Sequence, residues 1–138
     1  MKIYIASSWK NQHAVEMLTV HLRAAGHVVA SFVEQEGGAG HTFGSIDQWI
    51  DSENGWKCFT FDTDGATKSD LVIYVGPSGC DAWAEVGAAW GCGVPIYGLW
   101  AKGEQAGLMR RMVSNWFNHV PELLDHVHVM ANWPKGAA

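Results

Sequence analysis

Positive charge is what this 138-residue chain has least of: nine lysines and arginines stand against fourteen aspartates and glutamates, for a net charge of -5. That balance gives no general field for drawing in nucleic acid, so no nucleic-acid partner is expected. Long apolar runs are missing too, which excludes a membrane-spanning helix and predicts no membrane partner. The three cysteines, Cys58, Cys80 and Cys92, are an odd number without C-x-x-C spacing. They exclude a disulfide framework or a zinc ribbon and predict reduced thiols. In the opening "MKIYIASSWK" the apolar run is too short for a secretory signal and no cleavage region follows it, which predicts a cytoplasmic protein. No internal repeat or low-complexity tract breaks the chain, and its length with 48% hydrophobic residues suits one domain over residues 1–138.

The most pointed absence is local. Between Lys68 and Lys102 there is no basic residue, yet "SDLVIYVGPSGCDAWAEVGAAWGCGVPIYGL" carries Asp81 and Glu85 among alanines, glycines and tryptophans. A solvated helix would surround two acids with lysine and arginine, so these two ask for another explanation.

Strand and helix signals alternate along the chain. "KIYIA" reads as a strand, followed by a helix capped at Asn11 with Val15, Leu18 and Leu22 at three- and four-residue intervals and Gly26 closing it. "HVVASFV" reads as the second strand, and "EQEGGAGHTFGS" as a mobile, glycine-rich loop suited to covering a substrate. "IDQWIDSENGW" and "CFTFDTDGATKS" read as short helical pieces flanking Gly55. "DLVIYVG" is a continuous apolar strand suited to the middle of a sheet. "DAWAEVGAAWG" then predicts a helix, "VPIYGLW" a strand, "EQAGLMRRMVSNWF" a helix and "HVHVM" a last strand. Five strands alternating with helices predict a parallel sheet with right-handed crossovers.

In such a sheet small ligands bind beyond the carboxyl ends of the strands, near the switch in strand order. The loops after the first, second and third strands therefore become one candidate site. Ser7, Ser8 and Asn11 stand at a helix start, where hydroxyls and free N–H groups can hold an anion; ordinary capping explains the same residues. A helix beginning near Cys80 puts Asp81 and Glu85 one turn apart on one face, toward the cleft. Asp81 equally suits a helix N-terminus through the dipole, and a solvated face remains the plain alternative for Glu85. Small neighbours on either side of Glu85, such as Ala84 and Gly87, would let a ligand approach closely.

In order and spacing, "KIYIASSW", "DTDGATKSDLVIYV" and "AWAEVGAAWGCGVPIYGL" resemble the nucleoside 2-deoxyribosyltransferase family, which includes nucleoside and nucleotide N-glycosidases, over most of residues 2 to 100. The resemblance implies a flavodoxin-like (Rossmann-like) three-layer α/β sandwich on a five-stranded parallel sheet. It makes Glu85, in the "E-hydrophobic-G-x-A" helix, the nucleophile, Tyr4 the tyrosine that orients it, and Asp62, with Asp64 as the alternative, the aspartate of the base or acid step. It also implies a nucleoside or nucleotide substrate, no cofactor and a homo-oligomer. The chemistry agrees with those residue types: a carboxylate stabilises or traps the positive charge that develops on the sugar, and a second acid protonates the departing base. Asp81 is the reserve for that acid.

The chain departs from the family pattern where an Asp-Gly-Thr-like lead-in is replaced by "PSGCDAW", and where Asn115 is the only counterpart of a C-terminal asparagine donated across subunits. Ser7, Ser8, Ser78 and Gly79 fit a phosphate or the sugar end of a substrate, and serine before a helix is also the commonest cap. Trp9, in the first-strand loop, is the tryptophan placed to stack on a base, against the ordinary role of tryptophan in a core. His126 and His128 alternate on the last predicted strand without a third ligand, so no metal is expected. "GGAGHTFG" follows the second strand rather than the first, unlike a dinucleotide fingerprint. Cys80, at a helix start, lacks a histidine partner for cysteine chemistry. A non-catalytic nucleotide-binding module is the alternative of a different class.

Overall fold

Side chains from Ile3 to Ala6 and from Leu71 to Val75 are all buried, as strands covered on both faces require. The computed structural model describes residues 1–35, 46–105 and 107–134. Its strands β1 (Lys2–Ala6), β2 (Val28–Ser31), β3 (Leu71–Val75), β4 (Ile96–Leu99) and β5 (Asn115–Phe117) form one sheet in the order β2-β1-β3-β4-β5. Every neighbouring pair is parallel. Around it lie helices α1 (Gln12–Ala24), α2 (Ile46–Ile50), α3 (Glu53–Lys68), α4 (Cys80–Gly91) and α5 (Val120–Asn132). The expected Rossmann-like, flavodoxin-like three-layer sandwich is therefore present, and its switch in strand order falls between β1 and β3.

The period of two along β1 and β3 divides the interior into two layers. Ile3, Ile5, Leu71 and Ile73 pack with Val15, Leu18 and Leu22 of α1 and with Leu123 and Val127 of α5. The alternate residues Tyr4, Ala6, Val72 and Tyr74 pack with Ala66 of α3 and with Ala82, Val86 and Ala89 of α4. Small helix residues on this second face bring α3 and α4 close to the sheet, and the two tyrosines fill the remaining depth. At Gly65 a Cβ would overlap the Tyr4 ring, so α3 can pass over this tyrosine only with a bare backbone.

Local signals account for the helix ends. Ser52 caps α3 by accepting from the Gly55 amide at 3.0 Å. Gly26 and Gly93, which follow α1 and α4, take the positive φ values 91° and 76° that side chains disfavour. Asn11 stands at the N-cap of α1 but makes no capping bond; its amide is used elsewhere. No described helix is long and apolar enough to cross a membrane.

The carboxyl-terminal third differs from the sequence reading. "HVHVM" is part of α5, not a strand: its four-letter alternation is local, whereas the buried positions Leu123 and Val127 follow the helical spacing set by Pro121 in the first turn. His126 and His128 thus point to different sides of a helix instead of sharing a strand face. The fifth strand is Asn115–Phe117, three residues too few for an alternation to show. It ends the segment expected to be a helix, of which Leu108–Met112 is a 3-10 turn with Leu108 and Met109 exposed. The two helical pieces around Gly55 are the short α2 and a sixteen-residue α3 that runs through Gly55. The glycine-rich stretch "GGAGHTFG" lies outside the described residues.

The close passage at Gly65 predicts that Gly65→Ala lowers the midpoint of thermal unfolding by about 3 to 10 °C, the cost of overpacking a closed core. Circular dichroism melting checks this, and an unchanged midpoint contradicts the packing described.

Candidate active site

Where β1 and β3 end, two loops leave the sheet side by side and are tied together. The Ser7 hydroxyl donates to the Val75 carbonyl at 2.8 Å, and the Asn11 amide donates to Ser7 Oγ at 3.0 Å and to the Pro77 carbonyl at 2.8 Å. Between these loops and the facing sides of α3 and α4 opens a cavity of about 320 Å³. A second, more apolar hollow of about 530 Å³ runs between α2, α3 and α4. Asp62, Asp81 and Glu85 line both.

The floor they share is a hydrogen-bonded trio from three elements. Tyr4 of β1 is wholly buried, and its hydroxyl lies 2.8 Å from Glu85 Oε1 of α4 and 3.1 Å from Asp62 Oδ1 of α3. A phenol has one hydrogen to give. With two carboxyl oxygens in reach, the consistent arrangement has one carboxyl lending its own proton to the phenol oxygen while the other accepts.

The electrostatics favour that single shared proton. Burial, followed by the nearby Asp62 charge, pushes Glu85 up to about 8 against the counter-pull of the Tyr4 bond. Burial likewise pushes Asp62 up to about 6, although hydrogen bonds from Tyr4 and Gln35 favour its charged form. The Gln35 amide donates to Asp62 Oδ1 at 3.0 Å. Burial raises both acids and each carboxylate's charge disfavours the other's, so the pair favours holding one proton in common. Burial and the two carboxylates push the Tyr4 phenol far above its ordinary range, which keeps it a neutral donor.

The structure thus brings Tyr4, Asp62 and Glu85 together. Asp64, the alternative to Asp62, is instead half exposed and paired with Lys68 at 3.0 Å. Asp81 is exposed at the mouth, where its charge raises both buried acids. The three serines differ in what they have left to offer. Ser7 spends its hydrogen on Val75; among the described residues, Ser8 Oγ accepts from the Lys10 amide at 3.2 Å with its own hydrogen uncommitted, and the buried Ser78 Oγ has no partner. Gly79 is the N-cap of α4 and brings no capping side chain, so no N-cap side chain satisfies the first-turn amides, and Cys80, Asp81 and Ala82 of that turn line the cavity.

Trp9 lines the cavity with its ring edge-on to Phe32 at 5.4 Å. Asn115 is exposed on β5 and does not line the cleft. Gln35 was not singled out from the sequence. Its signal was positional, for it leads the loop after the second strand, one of the three loops expected at the site. Cys58, one turn before Asp62, also lines both hollows, and burial then Asp62 push its thiol up, away from thiolate chemistry.

A doubly wound α/β domain with a buried, phenol-bridged carboxyl pair at its switch point is the class these features define. The sequence matches no family model, and no curated protein is significantly similar to it. Solved structures share the fold. A 2-deoxyribosyltransferase from the psychrotolerant bacterium Bacillus psychrosaccharolyticus superposes with a TM-score of 0.68 at 21% identity, over 89% of this chain and 90% of that one. The CMP N-glycosidase BcmB of Clostridium botulinum gives 0.60 at 24% identity, over 94% and 99%. A conserved protein from Enterococcus faecalis gives 0.66 at 14% identity, over 94% and 98%.

Both acids hold their proton more tightly folded than unfolded, so folding takes up protons in the window between their ordinary and raised values, from about 4 to about 8. Stability therefore falls as pH rises through that window. Glu85→Gln removes the larger share: the variant should lose less stability than wild type between pH 5 and pH 9, by on the order of 1 to 3 kcal/mol. Urea unfolding at a series of pH values measures it, and parallel curves for the two proteins rule out a buried, proton-retaining Glu85.

Proposed function

We propose that this protein cleaves, or transfers a sugar at, the N-glycosidic bond of a (deoxy)nucleoside or nucleoside 5′-monophosphate. In this reading Glu85 is the nucleophile, Asp62 the acid and Tyr4 the hydroxyl that orders them. One observation carries it: a single buried phenol joins two carboxyls on the floor of a substrate-sized cleft. Two proteins of the same fold supply support, one being a 2-deoxyribosyltransferase and the other a CMP N-glycosidase.

The reaction begins with the shared proton. Its passage through Tyr4, which accepts from one carboxyl and donates to the other, leaves Glu85 as a carboxylate and Asp62 as an acid. Glu85 then attacks the anomeric carbon as the bond to the base nitrogen breaks, and the bonding pair leaves with the base, which takes the Asp62 proton. Water or an acceptor base attacks the glycosyl ester, Glu85 departs as carboxylate, and the acceptor's proton returns to Asp62. The scheme draws on no metal and no cofactor.

Ser8, Ser78 and the amides of the first turn of α4 form the polar end of the cleft, suited to the 5′ end of the substrate. Asp81 stands at the same mouth and sets a cost on a doubly charged phosphate there. Trp9 offers a ring face to a base. The resemblance to the deoxyribosyltransferases further implies a homo-oligomer, which light scattering of the purified chain decides.

Incubating the protein with deoxynucleosides, ribonucleosides and their 5′-monophosphates, and resolving free base by chromatography, tests the reading. Glu85→Ala should reduce base release by about 1000-fold or more while leaving ligand binding measurable by calorimetry. Ligand binding without turnover by the wild type would point to the binding module instead. Because the pair must hold one proton, kcat/KM should fall on both sides of neutrality, with apparent values near 6 and 8 belonging to the pair. A pH-independent rate across that range contradicts the shared proton.

A further inference from the structure

Tyr74 of β3 lies on the same sheet face as Tyr4, and it too meets a buried glutamate. Its hydroxyl donates to Glu104, in the segment between β4 and the 3-10 turn. The Glu104 side chain is 5% exposed and pairs with Arg110 of that turn at 3.0 Å. The Arg110 guanidinium stacks on two rings, 5.3 Å from the centre of Trp83 and 5.0 Å from that of Trp100. A paired and stacked charge cluster this deep is costly to desolvate, and core packing alone would be served as well by apolar side chains.

What it touches indicates its use. The Glu104 carboxylate rests against Gly76, where any Cβ would collide with it. Gly76 opens the loop that carries Ser78 and Gly79 into the cleft, and its amide donates to the Leu99 carbonyl at 3.1 Å. Glu104 also accepts from the Ala101 amide at 3.3 Å, which ties it to the end of β4. Trp83 projects from the first turns of α4 with its ring 4.6 Å from that of Tyr74, which joins the cluster to the start of that helix. From the front, among the described residues, Asn11 holds the loop by donating to the Pro77 carbonyl.

We propose that Tyr74, Glu104 and Arg110 are positioning residues that hold the Gly76–Gly79 loop from behind, and so set where Ser78 and the first turn of α4 meet the substrate. The cluster touches neither Glu85 nor Asp62, so its part lies in binding geometry and not in the chemical step. The idea rests on the proposed N-glycosidic function for its kinetic consequence only; the loop's order can be read without turnover.

Tyr74→Phe and Glu104→Gln, which keep shape, and Arg110→Lys, which keeps charge but loses the planar stack, test it by two measurements. Amide hydrogen exchange at Gly76 and Trp83, whose amides are bonded to the Leu99 and Gly79 carbonyls at the two ends of the loop, taken well below each variant's unfolding midpoint, should quicken about 10-fold or more over wild type while exchange in β1 and α1 stays unchanged. On an active substrate, kcat/KM should fall about 5- to 10-fold, chiefly through KM, and Arg110→Lys should not restore it. Unaltered exchange at the Gly76 and Trp83 amides alongside a lowered unfolding midpoint makes the cluster purely structural and overturns the proposal, as does a loss confined to kcat. If wild type turns over none of the panel, the functional reading fails while the exchange measurement still decides this one. Should Glu104→Gln not fold, Tyr74→Phe, which keeps the buried ring and removes one oxygen, carries both measurements.

Discussion

One hydroxyl, buried in the sheet and met by carboxyls from two different helices, is the constraint on which the cleft depends. Burying two acids side by side is unfavourable unless one of them is neutral and both find a donor. Tyr4 supplies that donor where carboxyls of α3 and α4 both come within reach of β1. The helices in turn approach because their inner faces are alanine, valine and glycine, and because Gly65 leaves room for the ring. Electrostatics and packing therefore state the same requirement from two directions: the pair can be buried only where the phenol is, and the phenol fits only where the helix is bare.

The switch point of the sheet turns this local arrangement into a cleft. Loops after β1 and β3 diverge there, and hydrogen bonds from Ser7 and Asn11 fasten them into a common rim. The serines thus divide their work. Ser7 is committed to the scaffold, while Ser8 and Ser78 retain capacity for a ligand. Sequence position alone does not separate these roles, since all three precede helical turns.

What could be read from the chain follows the strength of each local signal. β1 and β3 were legible because buried parallel strands are apolar throughout, and α4 because Glu85 lies in an alanine-rich turn that no solvated helix would need. The choice between Asp62 and Asp64 was not legible: they stand two residues apart on one helix, and only the direction of each side chain, toward Tyr4 or toward Lys68, tells them apart. Beyond β4 the sequence pattern and the structure part for a related reason. A short alternation at "HVHVM" outweighed a longer helical spacing, and the three-residue β5 is too brief to carry a pattern. Neither the proton shared by the pair nor the Glu104–Arg110 cluster is visible in a linear string, for each arises from groups that burial brings together.

The division of β1 into odd and even residues has a consequence for how this protein can change length. Adding or deleting one residue between Tyr4 and Ala6 would put the phenol out of phase with the rest of β1, so that Tyr4 and Ile5 could no longer face their two layers together. Loops at the far end of the sheet carry no such phase. A change of length there leaves both layers as they are, and the first six residues behave as a reading frame in space.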